Sequence, residues 1–332
     1  MRRFSPWRRK LVVGGLGWLV GWYGMRARSA DSNPGRYLYG GMPYDAFDEL
    51  PSTTVELSGS TIQVAFAPGE FRLPKARILS WIRSSAETVA VYYGRFPVAR
   101  ARLLIVPYDG AGVRSGTAFG YGAAAIRLLL GRDVSEVQLE RDWILVHETV
   151  HLAFPLVGRS HHWIEEGLAT YVEGMARVQA GRLSADEVWA GLVDGMPNGL
   201  PQDGDHGLDH TPTWGRTYWG GAMFCLLADV EIHSRTGNRK GLQDALRGIL
   251  AAGGNMETRW PITKTFQVGD AATGVPVLIP LYNRMKDDPA PVDLPSLWGR
   301  LGVSVRGKSA VFSDDAPLAA IRRAITHAPR LT

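Results

Sequence analysis

The chain has 332 residues, 45% of them hydrophobic and 21% charged, with 39 Gly, 20 Pro, one Cys and a formal net charge of +5. That apolar fraction can bury a large core, which excludes a disordered or collagenous chain. Cys225 has no partner for an intrachain disulfide and cannot build a Cys-based zinc cluster, so any metal must sit on His and carboxylates.

The charge is unevenly placed. Residues 1–30 carry Arg2, Arg3, Arg8, Arg9, Lys10, Arg26 and Arg28 and no acid, around an uncharged stretch at 11–25 interrupted by five glycines. A basic segment followed by a short apolar one is the pattern of a secretory signal, with Ala27, Ser29 and Ala30 as small residues for cleavage. The stretch is shorter than the roughly 20 residues that span a bilayer. Trp18, Trp22 and Tyr23 suit an interface, so attachment to the inner membrane through 11–25 is the competing reading. Either way the remainder is expected to be exported, as a periplasmic protein or one anchored facing the extracytoplasmic side. Without the leader, 30 basic residues stand against 32 acidic ones, a formal charge of −2. The basic excess is an export feature and gives no support to nucleic-acid binding.

Residues 31–52, rich in Gly, Pro and Tyr without periodicity, read as a linker. Residues 53–57 and 61–66 alternate apolar and polar side chains around Ser58, Gly59 and Ser60, which predicts a hairpin. Ile78, Trp81, Ile82, Val89 and Tyr92 recur at helical spacing over 75–93. A strand at 101–106, a Gly-rich loop at 109–122 and a strand at 123–130 follow, then a strong helix over 140–154 that Pro155 ends. Beyond it helices are expected at 163–180, 185–194, 218–235, 240–251 and 316–328, with long loops at 195–214 and 253–274. The order predicts an α+β fold: a small mixed sheet and active-site helices over 53–175, then a helical C-terminal lobe over 176–332.

The strong helix contains His147-Glu148-Thr149-Val150-His151. Two His at i and i+4 project from one helical face, so both imidazoles can reach one tetrahedral Zn²⁺. In such an H-E-x-x-H site the Glu is the general base acting on water, not a ligand. A catalytic zinc needs a third protein ligand and one open position. The next predicted helix, beginning Trp163-Ile164-Glu165-Glu166-Gly167-Leu168-Ala169-Thr170-Tyr171, offers a carboxylate.

These two motifs together resemble the gluzincin zinc metallopeptidases, whose second motif has the form Trp-x-x-Glu-Gly-x-Ala-x-Tyr. The resemblance implies a thermolysin-like zincin catalytic domain and one Zn²⁺ per chain held by His147, His151 and Glu166. It makes Glu148 the catalytic base. A third segment, Tyr218-Trp219-Gly220-Gly221, resembles the Tyr-x-x-Gly helix of the aminopeptidase gluzincins, closest to the glycyl aminopeptidase branch; it implies that the Tyr218 hydroxyl stabilises the oxyanion. The Gly-x-Met-Glu-Asn segment that holds a substrate's free amine in that group has no counterpart: residues 110–131 contain Gly116-Thr117-Ala118-Phe119-Gly120. Exopeptidase specificity is therefore not carried over, although a Gly-rich loop beside an edge strand can still bind an extended peptide.

Other polar clusters read more plainly. His161 and His162 look like a polar loop before the helix, and Asp203, Asp205 and Asp209 look like a solvated loop lacking the pattern of a calcium site. His206 and His210 stand just before Tyr218 as candidate oxyanion helpers. The expectation is an exported zinc metallopeptidase acting on peptide or protein substrates. The alternative is a zinc-binding envelope assembly or binding factor on the same fold that does not cleave peptides.

Overall fold

The structure is a computed structural model, and it describes residues 35–327. The chain enters through two short helices, α1 (Gly35–Leu38) and α2 (Ala46–Glu49). A hairpin of β1 (Ser52–Leu57) and β2 (Ser60–Phe66) follows, with Gly59 at its tip at φ 74°. Helix α3 (Lys75–Tyr93) leads to β3 (Arg100–Tyr108), β4 (Val113–Phe119) and β5 (Ala125–Gly131). The five strands form one mixed sheet in the order β1-β2-β3-β5-β4, with β2, β3 and β5 parallel and the two outer strands antiparallel to their neighbours. The α+β expectation holds.

The sheet is covered on both faces. On one, Val64, Leu103, Ile105 and Leu128 pack with Ile78 and Ile82 of α3 and with Leu145 and Leu152. On the other, Ala65, Leu104, Val106 and Ala125 meet Tyr37, Met42, Ala46 and Phe47. The segment read as a linker thus lies across the sheet from residue 35 onward. The buried Arg127 guanidinium, donating to the carbonyls of Gly40 and Gly41, and the Tyr121 hydroxyl, accepting the Met42 amide at 2.7 Å, hold it there. Polar anchors and four apolar side chains suffice without any periodic pattern, which is why the sequence did not reveal it.

After the sheet come α4 (Glu136–Glu140) and α5 (Ile144–His151), where one longer helix was expected. Asp142 breaks it: its carboxylate accepts the amides of Ile144 and Leu145, starting α5 afresh at its own N-terminus. The helix α6 (His162–Gln179) passes through the expected domain boundary at 175. The rest is α7 (Ala185–Gly195), a π-helical turn at Gly215–Gly220 running into α8 (Gly221–Thr236), then α9 (Leu242–Ala251), α10 (Ile262–Thr273), α11 (Leu278–Met285) and α12 (Leu294–Leu301). A hairpin, β6 (Val303–Arg306) and β7 (Ser309–Phe312), precedes α13 (Ala319–Thr326).

Helix α5 joins the two bodies. Its Leu145 packs into the sheet core, while Val146 and Val150 belong to the helical core with Trp163, Leu168, Met223 and Phe224. A helix buried on opposite sides has little freedom to tilt or rotate. No helix among the described residues is long and apolar enough to cross a membrane. The leader at 1–30 lies outside the described residues.

Candidate active site

The His pair stands where its helical spacing puts it. His147 and His151 project from one face of α5 with ring centroids 5.0 Å apart. Both Nε2 atoms face one oxygen of Glu166 on α6: Oε2 lies 3.3 Å from His147 and 3.7 Å from His151. One ligand atom from each of the three residues lies within 4.8 Å of the others. Two imidazoles and a carboxylate converging in this way fit a tetrahedral Zn²⁺ with a fourth position left over. Glu165 is engaged elsewhere, accepting the Val157 amide on one oxygen and facing His162 Nδ1 at 3.0 Å with the other.

Electrostatics ties the cluster together. Burial opposes a charge on Glu166, but His151 and His147 overcome it and hold its carboxyl well below the usual range. Burial likewise opposes a proton on His151, yet Glu166 and Glu148 carry it up to about 9.

Glu148 is buried and its side chain turns toward the sheet. A Cβ on Gly116 in the edge strand β4 would stand 2.4 Å from Glu148 Cγ and 3.0 Å from its Oε1, so a glycine is what leaves the carboxylate its room. The Ala118 amide donates to this carboxylate. Burial raises the Glu148 pKa, and the two ligand histidines and the Ala118 bond offset part of the rise.

Tyr218 arrives from the other side, on the π-helical turn. Its hydroxyl hydrogen-bonds Glu166, and burial together with the Glu166 and Glu148 carboxylates raises the phenol's pKa well above its ordinary value. π-Helical turns inside helices frequently occur at functional sites. The turn is fixed by close backbone packing. A Cβ on Gly167 would lie 2.2 Å from Gly221 Cα, and one on Gly221 would lie 2.1 Å from the Trp163 carbonyl oxygen. Helices α6 and α8 therefore touch backbone to backbone one residue after Glu166 and three after Tyr218.

Several residues have more to do than their sequence context suggested. His162 opens α6 four residues before Glu166, and its Nε2 lies 3.4 Å from Glu166 Oε1, the oxygen turned away from the other two histidines. The i,i+4 spacing was the one signal for it. Asp209 is not solvated: its carboxylate accepts Trp163 Nε1 at 2.7 Å and the Tyr282 hydroxyl at 2.7 Å and faces His161 Nδ1 at 2.9 Å. Asp205 is buried against Arg216 Nε at 2.7 Å. Only Asp203 of the three stays exposed. His210 pairs with Asp287 on the surface, which accounts for it without any part at the oxyanion, and His206 is exposed.

No protein-family model matches the chain, and no curated protein does. An aminopeptidase N family protein from Idiomarina loihiensis superposes with a TM-score of 0.58 at 13% identity, over 81% of this chain and 53% of that one. The fold is that of an aminopeptidase N family protein. An M1 zinc metallopeptidase from Deinococcus radiodurans, solved as a variant bound to a Tyr-Ser-Ala substrate, matches at 14% identity over 73% of this chain and 53% of its own, with a TM-score of 0.48. This chain thus spans about half the length of the solved structures it resembles.

Proposed function

We infer that the chain is a zinc-dependent metallopeptidase that hydrolyses peptide bonds. The observation that carries this is the convergence of His147, His151 and Glu166 with the buried Glu148 carboxylate beside them. The same fold in an aminopeptidase N family protein supports it. Export to the extracytoplasmic side rests on the composition of residues 1–30.

When bound, Zn²⁺ polarises the scissile carbonyl and makes water a better nucleophile. Glu148 takes the proton from the attacking water and returns it to the leaving amine. Its raised pKa brings its proton affinity toward the working pH, which suits a group that must both accept and release a proton. Tyr218, kept protonated by its raised pKa, donates to the oxyanion that forms on the carbonyl. Strand β4, at the edge of the sheet and in contact with Glu148, offers backbone groups to an extended peptide.

The test is zinc content and peptide cleavage measured together on wild type and Glu148→Gln. We expect one zinc per chain in both and a kcat lower by about 10²–10⁴-fold in the variant. Retained activity in Glu148→Gln would sink the mechanism. Bound zinc with no cleavage of any peptide by the wild type would favour the non-peptidolytic envelope factor.

A further inference from the structure

A cavity of about 440 Å³ is formed by the loop after α7 and the segment leading into the π-helical turn. Its size falls in the range of sites that enclose small ligands or side chains. Trp214 lines it and also stacks on Tyr218, with centroids 6.2 Å apart at 30° between planes. The indole is therefore a wall shared by the cavity and the residue that reaches Glu166. Through Trp214 the cavity adjoins Tyr218, the residue assigned to the oxyanion.

The lining decides which side chain. Asp205 and Arg216 form its buried floor and neutralise each other at 2.7 Å, while Arg216 also donates to the Gly199 carbonyl at 2.7 Å. Asp203 lines the same cavity, is exposed, and has no ion pair among the described residues. Asn198 donates its amide nitrogen to the Gly195 carbonyl, which leaves its side-chain oxygen as an acceptor. Trp214 is 42% exposed, and among the described residues no cation covers its ring. A net negative charge, an acceptor oxygen and an open indole face together favour a cation on a flexible apolar stem.

We propose that this cavity is a specificity subsite for a lysine or arginine side chain of the peptide substrate, flanking the scissile bond, with Asp203 and Trp214 as its recognising residues. This rests on the peptidase reading above. The subsite acts on substrate choice: it lowers KM for basic peptides and leaves the proton transfers to Glu148 and Tyr218.

The experiment uses the zinc-loaded 332-residue chain and internally quenched peptides of one sequence, carrying Lys, norleucine or Glu in turn at the two positions on each side of the scissile bond. The expected result is a kcat/KM for Lys above that for norleucine by about tenfold at one position, expressed in KM, with Glu below both. In Asp203→Asn the Lys to norleucine ratio should fall toward one, and in Asp203→Lys the order of Lys and Glu should reverse. A merely structural role for Asp203 would lower all three rates together and leave their order intact. Equal kcat/KM for Lys and norleucine at every position in wild type overturns the proposal, as does a Lys preference that survives Asp203→Asn. If no peptide is cleaved, the peptidase reading has failed, and the same peptides titrated against Glu148→Gln by fluorescence anisotropy decide the subsite separately. Tighter binding of the Lys peptide supports it, and equal or absent binding overturns it.

Discussion

At the scale of single residues, the site depends on side chains whose neighbours are fixed as tightly as they are. Gly116 is the clearest case: any Cβ there occupies space already taken by Glu148. Gly116→Ala should leave zinc content unchanged and lower kcat by at least about tenfold, because the displaced carboxylate must still reach the water and the leaving amine. Metal analysis and steady-state kinetics on one preparation check both halves. His162 acts on the other carboxylate. It faces Glu166 Oε1 while Oε2 faces the histidine pair, so it sorts the two oxygens and restricts how Glu166 can turn. His162→Leu should weaken zinc binding by about tenfold, measured by competition with a chromogenic chelator. His147, Glu148 and His151 were legible in the sequence because helical spacing alone puts two of them on one face. The Asp209 cluster was not, since its partners lie 46, 48 and 73 residues away and only the folded chain brings them together.

Secondary-structure elements tell a similar story. Helices with a long apolar stripe, α3 and α6, fell close to their expected positions. Strand β4 was read as part of a Gly-rich loop, because Gly116 and its polar neighbours carry no alternation and its existence depends on pairing with β5. Helices α10 to α12 and the β6-β7 hairpin were also missed; α10 falls within 253–274, which reads as a long loop, and α11, α12 and the two strands are each eight residues or fewer. The start of α5 offers a test in pH. Burial lifts the Asp142 carboxyl to about 7, against the amides of Ile144 and Leu145 and the nearby Arg177, which pull it down, while Glu173 adds to the rise. A carboxyl raised on folding binds more protons in the native state than in the unfolded one, so its contribution to stability is full below about pH 4 and is lost as pH rises through about 7. Urea midpoints should therefore fall between pH 5 and pH 8, and Asp142→Asn should flatten that slope. An unchanged slope in the variant would assign the effect to another group.

For the whole molecule, the question is what keeps the sheet's outer face dry. Phe47 is 3% exposed and packs with Tyr37 and Met42 over Ala65, Leu104 and Val106. Phe47→Ala should destabilise the protein by about 3 kcal/mol while leaving zinc content and kcat near wild type, since this face lies across the sheet from α5. Denaturant unfolding followed by Trp fluorescence, alongside activity, separates the two effects. The α+β class was readable from the order of the elements. The closing of the sheet by residues 35–50 was not, because it is made from scattered anchors such as Arg127 and Tyr121 that acquire meaning only through the carbonyls and amide they meet.

The touching backbones of Gly167 and Gly221 also bear on timing. Glu166 and Tyr218 sit on two helices already in contact, so no interdomain closure is needed to assemble them around a substrate. On the proposed peptidase reading, the constellation is built before a peptide arrives, and the free energy of peptide binding is left for orientation of the bond to be cut. If the cavity is the proposed subsite, variation in the loop around residues 195–214 retunes which peptides are taken without disturbing Glu148 and Tyr218.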